Sequence, residues 1–94
     1  MRIDKYLKAS RILKRRTVAN ELAANQRVEI NGRQVKPSKE VNVGDIISIT
    51  FGYRKLEVRV LSVQEPKKKK DSSEMYEIVS ETRIEQELEG TDTL

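Results

Sequence analysis

A chain of 94 residues with 36% charged and 4% aromatic side chains has material for one small core, and its lack of cysteine and histidine excludes disulfides, thiol chemistry, Cys/His metal sites and imidazole catalysis. The formal net charge of +4 hides a division: residues 1–70 hold 18 Lys/Arg against 7 Asp/Glu, whereas residues 71–94 hold 1 against 8. The body therefore calls for a polyanionic partner, whether RNA, DNA or an anionic membrane, and the acidic end needs a separate account.

In chain order, Ile3, Tyr6, Leu7 and Ser10 fall on one side of a helical wheel and Lys5 and Lys8 on the other, which predicts a short amphipathic helix with a basic outer face. Asp4 lies near those cations, either as an N-cap or as favourable negative charge in the first turn. A break is expected around residues 11–16. A second helix follows in TVANELAAN, with Thr17 as a candidate cap, a start up to two residues earlier, and Val18, Ala19, Leu22 and Ala23 as its apolar stripe. The period then changes to alternation in RVEINGRQV, where Asn31-Gly32 predicts a two-residue hairpin turn between Val28 and Val35. KPSKEVNVGD reads as a connection. IISITF and LEVRVLSV read as further strands joined through FGYRK.

The body, residues 1–65, is thus expected to be an α+β unit: two N-terminal helices packed on a small, mostly antiparallel sheet. EPKKKKDSSE marks a lysine-rich linker at 66–73, and 74–94 forms an acidic C-terminal segment. Within that segment MYEIVSE fits both a helical stripe and an alternating strand, and a short strand or helical turn running into an acidic tail is the preferred reading. No run reaches the length of a membrane span and the N-terminus has no apolar signal segment, so a cytoplasmic, soluble protein is expected.

The functional signal is SRILKRRT, residues 10–17, where cations surround Ile12 and Leu13. Seven cations and one acid lie between residues 2 and 16. Apolar anchors among them hold Lys8, Arg11, Lys14, Arg15 and Arg16 in a fixed array, the arrangement a phosphate backbone requires, whereas a merely solvated charge run needs no such anchoring. Asp4 near Arg2 or Arg15 reads as a partner that orients a cation. Asn31-Gly32 is accounted for by turn chemistry alone, although a hairpin tip can also enter a groove. Arg27 and Arg33 flank that turn and extend the candidate surface. Lys36 and Lys39 serve either RNA or solubility, and Tyr53 beside Arg54 and Lys55 either packs or stacks on a base. Scattered carboxylates, hydroxyls without a base and the absence of a Gly-rich phosphate loop argue against an enzyme, and no cofactor is expected.

RIDKYL, the cationic approach to the second helix, VEING and the later VGD, taken in order over about residues 1–60, resemble the S-four domain, an RNA-binding module named after the fourth protein of the small ribosomal subunit. That family typically has Ser-Arg before its second helix; Arg16-Thr17 keeps a cation and a hydroxyl in reverse order. Over its whole length, including KPSKEV and MYEIVSE, the chain is similar to the small stand-alone S-four proteins of the heat-shock and ribosome quality control type, and its shortness favours the latter. The resemblance implies the S-four fold and RNA contacts at Arg2 and Arg16, with Lys5, Arg11 and Arg15 nearby. It further implies, as partners, 23S rRNA and peptidyl-tRNA on an obstructed large ribosomal subunit, together with a factor that recruits alanyl-tRNA for alanine tailing. A monomer that binds neither DNA nor membrane is expected. A heat-shock-type recycling factor, a general RNA chaperone and a protein adaptor using the acidic tail are the alternatives.

Overall fold

A computed structural model describes residues 1–65 and 74–83 and places two helices on one face of a five-stranded antiparallel sheet. Helix α1 spans Ile3–Ala9 and buries Ile3, Tyr6, Leu7 and the following Ser10, the face that the helical spacing predicts. Its first amides are met by a loop: Ile3 N–H donates to Lys39 C=O at 2.8 Å and Asp4 N–H to Pro37 C=O at 3.3 Å. Arg2 occupies the N-cap position with no side-chain cap, so Asp4 belongs to the first turn. The helix ends where Arg11 takes a left-handed conformation, φ 64°. Leu13 N–H then returns to Leu7 C=O at 3.0 Å, and Ile12 and Leu13 rest half-buried against the core.

Helix α2 spans Arg16–Ala24, starting one residue before Thr17. Thr17 is not its cap: extended Arg15 holds that position and no side chain caps the helix. Ala19 and Ala23 are buried and Leu22 is half-buried, but Val18 remains 39% exposed because the predicted stripe is wider than the contact these small residues make. Gln26 adopts φ 64°, and Arg27 N–H donates to Leu22 C=O at 2.8 Å while Gln26 N–H donates to Ala23 C=O at 3.1 Å, the paired bonds of a Schellman stop.

The strands are β1 Val28–Ile30, β2 Arg33–Gln34, β3 Ile46–Phe51, β4 Arg54–Val60 and β5 Tyr76–Arg83, in the order β2-β1-β3-β4-β5. Asn31 and Gly32, at φ 53° and 83°, make the expected tight hairpin with Ile30 opposite Arg33. Gly52, at φ 60°, opens the second tight turn, with Phe51 opposite Arg54. Val28, Ile30, Ile47, Ile49, Val58 and Val60 face the helices and close the core. On the other face Glu57 accepts hydrogen bonds from the hydroxyls of Ser48, at 3.0 Å, and Ser80, at 3.1 Å, and so ties three strands together.

Strand β5 settles the ambiguity of MYEIVSE. Tyr76 and Ile78 pair with Val60 and Val58, and a register shift follows before Ser80 meets Glu57. A strand is favoured because β4 would otherwise offer an unpaired edge to this β-branched segment. The lysine-rich linker expected at 66–73 and the remainder of the acidic segment, 84–94, lie outside the described residues.

The link from β5 back to α1 is a buried hydrogen bond in which the Tyr6 hydroxyl donates to Met75 C=O at 2.6 Å. Burial, aided by Tyr76, pushes the Tyr6 phenol well above its usual range, so it remains a donor at all physiological pH values. The same carbonyl accepts Leu61 N–H at 2.8 Å and Ser62 N–H at 3.2 Å, so removing the hydroxyl leaves no orphaned acceptor. Tyr6→Phe is therefore expected to cost only about 1 kcal/mol, a fall of about 4–8 °C in Tm. Thermal unfolding followed by circular dichroism checks this, and an unchanged Tm would remove the hydroxyl's stabilising role.

Candidate nucleic-acid interface

Asp4 organises the interface. Its carboxylate is 2% exposed and accepts four donors: Lys5 N–H at 2.7 Å, Arg2 Nη2 at 3.1 Å, and Arg16 Nη2 and Asn20 Nδ2 at 3.4 Å each. Desolvation pushes the carboxyl upward, but the Asn20 amide, the Lys5 amide and the charges of Arg16 and Arg2 outweigh it and hold Asp4 below the usual carboxylate range. A buried anion thus draws one guanidinium from the start of α1 and another from the start of α2 to the same place.

Each arginine gives only one nitrogen to Asp4, and their side chains remain 46% and 47% exposed. The carboxylate restricts how each half-exposed guanidinium can turn. A planar fork held in this way suits a phosphate oxygen pair, and ordering the two side chains in advance lowers the entropy lost on binding. The sequence pattern paired Asp4 with Arg2 or Arg15; the structure keeps Arg2 and replaces Arg15 by Arg16. Arg15 occupies the N-cap, where the chain is extended, whereas Arg16 enters the helix four residues before Asn20 and shares its side of α2. Thr17 is exposed and does not cap, so the reversed Arg-Thr order places the cation, not the hydroxyl, on Asp4.

The other cations fall into three groups. Lys5 Nζ pairs with Glu65 at 3.2 Å. Lys8, Arg11, Lys14 and Arg15 are exposed at the end of α1 and along the turn into α2, with no ion pair among the described residues. Arg27 and Arg33 do not share the hairpin tip: Arg33 stands opposite Ile30 next to the turn, whereas Arg27 lies at the other end of β1, its carbonyl accepting Thr50 N–H at 2.8 Å. Arg33 instead lines an open cavity of about 610 Å³ with Lys36, Lys39, Glu40 and Asp45. Loop 36–41 forms one wall of it and also meets the N-terminus, where Met1 N bonds Glu40 at 3.0 Å.

Sequence reasoning missed Asn20 and the role of Asn31 beyond its turn. Asn31 Oδ1 accepts Ile46 N–H at 3.0 Å and its amide donates to Asp45 at 3.1 Å, while Asp45 accepts Asn42 N–H at 2.9 Å. VEING and VGD are therefore bonded to one another, and their spacing holds the hairpin against the loop. The four-residue step from Arg16 to Asn20 was the available signal for Asn20. Among the described residues no cluster suited to a metal ion occurs and no helix is long and apolar enough to cross a membrane.

The model of the S4 domain matches residues 1–47, which include α1, α2 and the Asn31–Asp45 lock. Over 94% of its length the chain is 50% identical to the RQC P-site tRNA stabilizing factor of Streptococcus pneumoniae, all of which it covers. The chain belongs to the S4 domain family and, within it, to that of the RQC P-site tRNA stabilizing factors. It is also 32% identical to a heat shock protein 15 homolog of Aeromonas salmonicida, aligning over 98% of this chain but 70% of that one. The solved trimeric structure of Vibrio cholerae heat shock protein 15 shares the fold, with a TM-score of 0.77 at 24% identity over 97% of this chain and 92% of that one. The fold shared with that structure thus extends beyond the S4-matched N-terminal half to β3, β4 and β5.

Proposed function

We propose that this protein is a non-enzymatic ribosome quality control factor that binds obstructed large ribosomal subunits and stabilises the P-site tRNA while stalled chains receive alanine tails. The observation that carries the reading is the Asp4-centred pair of Arg2 and Arg16, set in an S4 domain whose full-length relative is a P-site tRNA stabilizing factor. Arg2 and Arg16 contact RNA phosphates directly. Lys5, Lys8, Arg11, Lys14 and Arg15 extend the same face, and Arg33 extends it across the loop 36–41 cavity. Arg27 contributes from the other end of β1.

The RNA partners are 23S rRNA and peptidyl-tRNA, and the factor that recruits alanyl-tRNA works on the same particle. Peptidyl transfer stays with the rRNA, and the protein acts in the cytoplasm as a monomer by fixing geometry. Identity of 50% to the Streptococcus relative, against 32% to the heat shock homolog, favours this role over heat-shock-type recycling.

Crosslinking in cells followed by RNA sequencing tests the reading, with 23S rRNA and tRNA expected to dominate the recovered RNA. Broad recovery of mRNA without such enrichment would instead make the protein a general RNA chaperone.

A further inference from the structure

The helix-bearing face of the sheet continues beyond the helices. Along β4, Val60 and Val58 lie in the core and Leu56 is half-buried, while Arg54, next on that face, is 61% exposed. At strand rise, the seven residues of β4 put this tip about 20 Å from the Val60 end, where Met75 joins α1. Arg83 stands directly across from Arg54. Facing like charges disfavour a sheet, and Glu81 offsets only part of this by engaging Arg54.

Tyr53 completes the tip. Gly52 supplies the positive φ of the turn, so the next position asks for no aromatic, yet Tyr53 is 53% exposed and stands outside the core. Tyr53, Arg54, Glu81, Thr82 and Arg83 line a recess of about 540 Å³. Lys55, next along β4 and opposite Thr50, adds a further cation beside the turn. Neither the sheet nor the core accounts for an exposed ring among these cations.

We propose that this tip is a second RNA-contact site, one that stacks an unpaired base on Tyr53 and takes the flanking phosphates on Arg54 and Arg83. The proposal rests on the RNA-binding reading of the chain. A nucleotide presents a flat π-face beside an anion, and a ring beside guanidinium groups is its complement. An acidic protein segment would satisfy the cations and leave the ring without a flat partner. The Asp4-centred face and the β3–β4 tip would then hold two separate RNA elements.

Fluorescence anisotropy with two labelled RNAs tests this: a stem-loop with a seven-nucleotide loop, and the same stem as a blunt duplex. The full-length protein is expected to prefer the stem-loop, and Tyr53→Ala to lose about tenfold in stem-loop affinity while holding the duplex as before. Tyr53→Phe, which keeps the ring, should retain the preference, and Arg83→Ala should weaken stem-loop binding and flatten its salt dependence. Thermal melting of each variant establishes that it is folded.

Equal affinities of wild type and Tyr53→Ala for the stem-loop would overturn the proposal while leaving the Asp4-centred site standing. So would loss of large-subunit association by Tyr53→Ala with unchanged binding of both RNAs, which would make the tip a protein contact. Failure of the wild type to bind either RNA would overturn both readings.

Discussion

Asp4→Ala is expected to destabilise the protein by about 2 kcal/mol and to weaken RNA binding about tenfold, although Asp4 itself touches no RNA. The carboxylate is buried and shared among Lys5, Asn20, Arg2 and Arg16. Its loss strips a first-turn amide of its partner and frees two guanidinium groups to move. The stability cost stays modest because both arginines are half-exposed and solvent screens their attraction. Denaturant unfolding and RNA titration on the same preparations separate the two effects, and an unchanged affinity would show that the arginines need no anchor.

The pH dependence of that stability has a definite sign. Asp4 titrates below its ordinary value in the folded chain, so the unfolded chain takes up the proton first as acid is added. Its contribution is complete above the ordinary aspartate range, near about 3.9, and is lost as the pH falls from there through the lower folded value. The stability difference between wild type and Asp4→Ala should therefore be flat from neutral to mildly acidic pH and shrink only below that range. A difference that shrank already at pH 6 would contradict the assignment.

Arg16→Ala should do the reverse in proportion, with a large effect on binding and a small one on folding. On the proposed role, removing the guanidinium is expected to cut affinity for tRNA-bearing large subunits about tenfold, with a shallower salt dependence. Arg2 and Asn20 still serve Asp4, so the loss of stability should stay below about 1 kcal/mol. Arg16→Lys keeps the charge but not the fork and should recover only part of the binding. Sedimentation with purified subunits at two salt concentrations gives both quantities. If unfolding and binding were lost together, Arg16 would be a structural residue and its role in contacting RNA would be withdrawn.

The parts of the fold legible in the sequence are those governed by local period. The apolar face of α1, the Asn31-Gly32 hairpin and the alternation of β3 and β4 follow from side-chain spacing, because helix and strand periods differ. The helix starts were less legible. The α1 amides are met by Lys39 and Pro37 carbonyls from a distant loop, so no capping side chain marks that start. MYEIVSE became a strand because of the edge β4 offers, which no local pattern encodes. In the candidate site, the run of cations was legible from composition, but Arg16 rather than Arg15 as the partner of Asp4 depended on where α2 begins and on an Asn20 that looked like an ordinary surface residue.

The bond from Tyr6 to Met75 spans 69 positions along the chain. A growing polypeptide lengthens by about 5–20 residues per second, so α1 waits several seconds after its synthesis for the carbonyl that completes its packing. A helix that needs only seven residues to form is therefore secured long after it is made, once the segment that carries Met75 has followed it.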